Sequence, residues 1–197
     1  MKTIFSLALL LCLLITYSSH SQQITTDSSA SLESLISNNL AEGCVEITNI
    51  TSSVNGSSSN LESYGYFEKG ASNFPFENGI VLSTGSVNSA GNTINADILA
   101  EGDDNWKTDT DLEDALNISN TLNATSIEFD FVSFSNQIQF NYLLASEEYY
   151  QNNPCEYSDG FAFLIREVGT SNPYQNIALI PGTNTPVNTK TIHENIV

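Results

Sequence analysis

Carboxylates with chemical potential gather in two stretches of this chain. "ASEEYYQNNPCEYSDG" places Glu147, Glu148 and Asp159 in a turn between strand-like segments, and "DTDLED" sets acids at positions 109, 111 and 113. Two acids about 5–10 Å apart across a cleft can hydrolyse a glycosidic bond. A larger set, with amide and backbone oxygens, can hold calcium, which takes about six to eight oxygen ligands. Glu147 and Glu148 are neighbours, so on extended backbone they point to opposite faces and cannot form the hydrolase pair without a bend. The calcium reading draws instead on Asp111, Glu147 or Glu148, and Asp159. "DTDLED" lacks the glycine and terminal glutamate spacing of an EF-hand loop. Against both readings stands a plain solvated acidic rim. Tyr149, Tyr150 and Tyr157 border the same stretch and offer rings for stacking on sugars, although tyrosine is also an ordinary rim residue.

Composition narrows the rest. Ser-His-Asp or Cys-His catalysis needs an imidazole beside the nucleophile, and beyond the N-terminal leader the chain has only His193. Zinc would need several His or Cys ligands. There is no glycine-rich phosphate loop. The net charge is −18, from 23 acidic against 5 basic residues. Nucleic acid is excluded as a partner, because neutralising phosphates takes clustered Lys and Arg. An anionic lipid surface is disfavoured for the same reason. The expectation is a noncatalytic protein whose partner is an extracellular glycan or another protein, with calcium as the candidate cofactor. A carbohydrate-binding module, or a carboxylate-dependent glycoside hydrolase, is the alternative.

Several elements must position these residues. Residues 1–21 read as a secretory signal peptide: Lys2, an apolar run from Ile4 to Ile15, and a small-residue stretch ending at Ser21. That run is too short to cross a bilayer, which takes roughly 20 apolar residues, so no membrane insertion is expected after cleavage. The exported chain then keeps two cysteines, Cys44 and Cys155, which read as a disulfide. It would close a loop of about 110 residues, worth roughly 4–5 kcal/mol on chain entropy alone. Residues 22–43 read as a Ser/Thr-rich lead-in followed by an amphipathic helix with Leu32, Leu35, Ile36 and Leu40 on one stripe. From Cys44 the period shifts to two. Val45 and Ile47, "GIVLSTG", "TSIEFDFVSF", "QIQFNYLLA", "GFAFLIREV" and "QNIALIPG" read as strands with one apolar face. A brief helix capped by Thr108 or Asp109 is expected through Leu116. The fold class is mainly β, an antiparallel sandwich-like domain over residues 44–197 with one or two short helices. "NTKTIHENIV" closes on polar residues, which reads as a domain cut short at its C-terminal end.

"NGIVLSTGSV", "DTDLEDAL", "TSIEFDFVSFSNQIQFNYLLASEEYYQNNPCEYSDGFAFLI" and "NIALIPGTNTPVNTKTI" follow one another in that order. Together they resemble the choice-of-anchor L domain of exported bacterial surface proteins, notably of the Bacteroidetes. The resemblance covers roughly Cys44 to Ile192. It implies a noncatalytic adhesion or surface-interaction module, secreted or held at the cell surface. Such modules often accompany a separate C-terminal sorting domain, commonly for type IX secretion.

Overall fold

The computed structural model describes residues 23–40, 45–91, 100–149 and 158–193. The leader, Cys44 and Cys155 with their expected disulfide, Tyr150 and Tyr157 lie outside the described residues.

Local sequence accounts for the two helices. Helix α1 (Leu32–Asn39) starts where Ser31 accepts a hydrogen bond from the Ser34 N–H, and it buries Leu35 and Ile36. These two residues belong to the expected stripe and set the helix against strands β2, β3 and β4 (Val45–Thr51, Tyr64–Glu68 and Asn78–Leu82). Helix α2 (Thr110–Leu116) is capped by Asp109, whose Oδ1 accepts from the N–H groups of Asp111 and Leu112 at 3.0 and 3.2 Å. Asn117 closes it in the left-handed region at φ 53°, a conformation that asparagine tolerates better than most residues. Asp109→Ala should cost about 1 kcal/mol and lower the melting temperature by roughly 2–4 °C, with Asp109→Asn retaining most of the cap. Thermal melts followed by circular dichroism would check this.

Among the described residues the strands pair antiparallel in three small sheets. β1 (Thr25–Asp27), β3 and β4 form one, in the order β1-β3-β4. β2 joins β5 (Glu128–Ser133), with Ile47 opposite Phe131 and Val45 opposite Ser133. β6 (Leu164–Ile165) joins β7 (Gln175–Asn176). The chain is thus mainly β and antiparallel with two short helices, as the strand periodicity predicts, and no barrel closes among the described residues. The β2–β5 register slips between Thr48 and Thr51. There Asn49 takes φ 54° and its side-chain amide donates to Asp130 Oδ2 at 2.7 Å, so an asparagine carries the bulge and ties it to the opposite strand.

Two expectations are corrected. Thr25–Asp27 was expected in a flexible lead-in but forms β1, with Thr26 buried opposite Phe67. The reason lies on the partner strand. A Cβ at Gly65 would sit 2.5 Å from the Asp27 carbonyl oxygen, and only a glycine there lets the two backbones approach. The second concerns "QIQFNYLLA", which enters no ladder among the described residues. Its alternation is still expressed in the side chains: Phe140 stacks on Phe163 at 5.3 Å, and Tyr142 meets Phe161 at 5.1 Å. Period two sets which face a residue occupies, but a ladder also requires main-chain partners at the right spacing.

The described core runs from Leu35 and Ile36 through Phe67 and Val87 to Trp106, Ala124, Ala178 and Val187. Trp106 is fully buried and anchors the acidic segment between β4 and α2. The neighbouring Gly102 takes φ +88°, and a Cβ there would fall 2.1 Å from Asn123 Nδ2 and 3.1 Å from the Trp106 ring.

Candidate functional site

Three of the sequence motifs meet in space. "ASEEY" bends into a 3-10 turn over Glu147–Tyr149, which replaces the extended geometry expected for these acids. Ser146 Oγ donates to Glu148 Oε2 at 3.0 Å and accepts from the Glu148 N–H at 3.2 Å, which stabilises the bend locally. Glu148 Oε2 also accepts from Thr189 Oγ1 at 3.2 Å, and Thr189 is fully buried. Asp159 comes to the same place because Gly160 forms an antiparallel bridge with Asn188, the residue before Thr189. A Cβ at Gly160 would press on Leu116 Cδ1 at 3.0 Å, so the bare glycine lets this segment lie against α2.

Burial pushes the Asp159 carboxyl up to about 6, and the charges of Glu148 and Glu147 push the same way. Both glutamate charges therefore act on Asp159. Tyr149 stands at the rim, 41 % exposed, with its phenol raised by burial and by Glu148. Asp111 is elsewhere. On the first turn of α2 its charge acts with those of Glu128 and Asp109 on the Tyr174 phenol, which burial raises first and Arg166 opposes. The Arg166 guanidinium lies 4.1 Å from the centre of the Tyr174 ring, a cation–π contact. The four candidate metal ligands thus fall in two places. Among the described residues no group of three or more His, Cys, Asp or Glu is gathered to hold a metal ion.

The acids before and within α2 have a different job. Glu101 accepts from the Ser86 N–H at 2.6 Å and the Ser89 hydroxyl at 2.7 Å. Asp103 accepts from the Ser59 hydroxyl at 2.6 Å and the Asn105 N–H at 2.9 Å; these bonds, Ser59's foremost, hold its carboxyl below the usual range. Glu113 accepts from the N–H and hydroxyl of Thr121, and the N–H bond chiefly lowers its carboxyl in turn. Each of these acids satisfies donors that turns and helix ends would otherwise leave bare.

Sequence reasoning missed two features. One is Thr189, hidden in a run of ordinary threonines. The other is a cleft of about 340 Å³ walled by Phe131, Ile138, Phe140, Ile165 and Ile177. The alternation in "QIQF" pointed to the face that Ile138 and Phe140 share, but the residues across the cleft come from distant segments.

The geometry so far defines a small antiparallel β domain whose motif residues converge on one carboxylate cluster. The family model described as the Choice-of-anchor L domain matches residues 23–197, and the chain belongs to that family. It matches no curated protein and no solved structure. Membership points to a module of exported, surface-associated proteins. No described helix is long and apolar enough to cross a membrane.

Proposed function

We propose that this chain is a noncatalytic interaction module of an exported surface protein, binding an extracellular glycan or protein. The observation that carries the reading is the state of Glu148. One oxygen of this central motif acid accepts hydrogen bonds from Ser146 and the buried Thr189, so the side chain braces two chain segments against each other. A strut of that kind supports a recognition surface and is poorly placed to attack or protonate a substrate. Calcium is proposed beside Asp159, where a divalent cation would offset the charges of Glu148 and Glu147 acting on it; the described acids do not themselves gather into a metal-binding group, so carbonyl, hydroxyl or water oxygens would have to complete the shell.

One observation favours a second reading, a carboxylate-dependent glycoside hydrolase. A carboxyl raised to about 6 suits a general acid, and two more acids lie close to it. The two readings separate on a broad glycan panel assayed for both retention and product. The module reading expects saturable binding to a glycan or an extracellular protein with no product formed. Product formation that Asp159→Asn or Glu148→Gln abolishes would overturn it.

A further inference from the structure

We infer that the outer face of the β1-β3-β4 sheet is a recognition surface for a neutral, extended glycan, which lies across Tyr64 and Tyr66. The inference rests on the interaction-module reading and names its site and its ligand class.

The sheet has one covered face and one open face. Thr26, Gly65 and Phe67 are buried on the first. The chain crosses that face as it leaves β1 for α1, since a Cβ at Gly65 would meet the Asp27 carbonyl oxygen at 2.5 Å and Ser28 Cα at 3.3 Å. The Phe67 ring covers more of it, 2.9 Å from where a Cβ of Gly79 would stand. Tyr64, Tyr66 and Glu68 alternate to the opposite face. The register sets Leu82, Ile80 and Asn78 beside them, and Asp27 beside Tyr66. The solvent face of an antiparallel sheet is ordinarily polar. Here its middle is an apolar strip: Tyr64 and Tyr66 stand about 7 Å apart along β3, flanked by Ile80 and by Leu82, which is 46 % exposed.

Shape and charge together say what covers this strip. Tyrosine offers a large, rigid ring with a polar tip at little cost in side-chain entropy. Two such rings in a row on a flat strand suit a ligand that is itself flat and repeating, such as a pyranose chain whose C–H faces pack on the rings. The polar side chains around the strip are Asp27, Glu68 and Asn78, and no outward residue of the three strands is a cation. An ionised carboxylate only accepts hydrogen bonds, and Glu68 Oε1 already takes one from the Tyr66 hydroxyl at 3.3 Å. The complement is a ligand rich in uncharged donors, which a row of sugar hydroxyls supplies. A glycan bearing carboxylates or sulfates would meet like charge on a chain of net charge −18. A protein surface would have to strip water from Asp27 and Glu68 or bring a cation to each, whereas hydroxyls solvate a carboxylate much as water does.

The probes are hexasaccharides of β-1,4-linked glucose, mannose and N-acetylglucosamine, with an oligogalacturonate of the same length as the charged counterpart. Each is titrated into the whole chain by isothermal calorimetry. At least one neutral probe should bind saturably, and the galacturonate should not. Tyr64→Ser and Tyr66→Ser should each weaken that binding about tenfold, whereas Tyr66→Phe keeps the ring and most of the affinity. Leu82→Glu places a charge on the strip at an exposed position, so it should weaken binding without opening the core, and it reads the same face if a serine variant fails to fold. Absence of binding by all three neutral probes would overturn the inference, as would galacturonate binding equally well. So would affinity indifferent to Tyr64, Tyr66 and Leu82, or an octalysine peptide held at this face in place of the glycans. Each of these results leaves the interaction-module reading standing. Only conversion of a probe to product removes that one.

Discussion

Trp106→Ala should lower the melting temperature by roughly 6–20 °C, or leave the chain unfolded at ambient temperature. Trp106 is the only tryptophan and is fully buried. Deleting so large a side chain from a packed site costs about 3–5 kcal/mol, a large share of the roughly 5–15 kcal/mol that holds a domain together. The ring also holds a hydrogen-bonded knot. Its Nε1–H donates to the Ala124 carbonyl at 2.5 Å, its own carbonyl accepts from the Asn123 N–H at 3.0 Å, and the Ala124 N–H donates to the Lys107 carbonyl at 3.1 Å. Trp106→Phe keeps most of the apolar volume but leaves the Ala124 carbonyl without that donor, for a smaller loss of about 1–3 kcal/mol. Calorimetry on the three chains should rank them wild type, Phe, Ala. If the Ala chain melted within about 2 °C of wild type, the acidic segment would not be anchored at Trp106.

Asp159→Asn is expected to act in the opposite direction. The Asp159 carboxyl is raised to about 6 by burial, then by Glu148 and Glu147. In the unfolded chain it returns to an ordinary value of about 3.9. Between those two values the folded state binds more protons than the unfolded state, so stability falls as pH rises through the window. Above pH 6 the penalty is complete. Asp159 is only half-buried, and solvent screening reduces the penalty to on the order of 1–2 kcal/mol. The asparagine keeps the shape without the charge. At pH 7.5 the variant should therefore melt roughly 2–8 °C above wild type, with the gap closing as pH falls below about 4.5. The difference between the two chains isolates this group from the other carboxylates. Glu147→Gln should move the midpoint of that difference to lower pH, since it removes one of the repelling charges. A gap that stays constant from pH 4 to 7.5 would show that Asp159 does not titrate in this window.

Calcium enters the same measurement. At 100 times its dissociation constant it would stabilise the folded state by about 2.7 kcal/mol. That gain should appear in wild type at pH 7.5, shrink in Asp159→Asn, and vanish with chelator. Magnesium should substitute poorly, because it demands tighter octahedral geometry and surrenders its waters reluctantly. Melting curves indifferent to calcium at fixed ionic strength would leave Asp159 as a carboxyl raised by burial and by the charges of Glu148 and Glu147, without a cation.

Features satisfied within a few residues were legible in the sequence. The Leu35–Ile36 stripe of α1, the Asp109 cap of α2 and the alternation of Phe129 and Phe131 in β5 each follow from contacts or periods spanning four residues or fewer. Such features depend on backbone geometry that the residues carry with them. What joins distant segments was decided by the tertiary structure. Thr25–Asp27 became a strand paired with Tyr66–Glu68, where the adjacent Gly65 leaves room for the Asp27 carbonyl, whereas residues 138–145 entered no ladder among the described residues. The acids were likewise sorted by neighbours that no spacing reveals. Asp111 went to Tyr174 and Arg166, while Glu147, Glu148 and Asp159 met beside Thr189. A carboxylate's role depends on burial and on charges within a few ångströms, and those are properties of the packed chain.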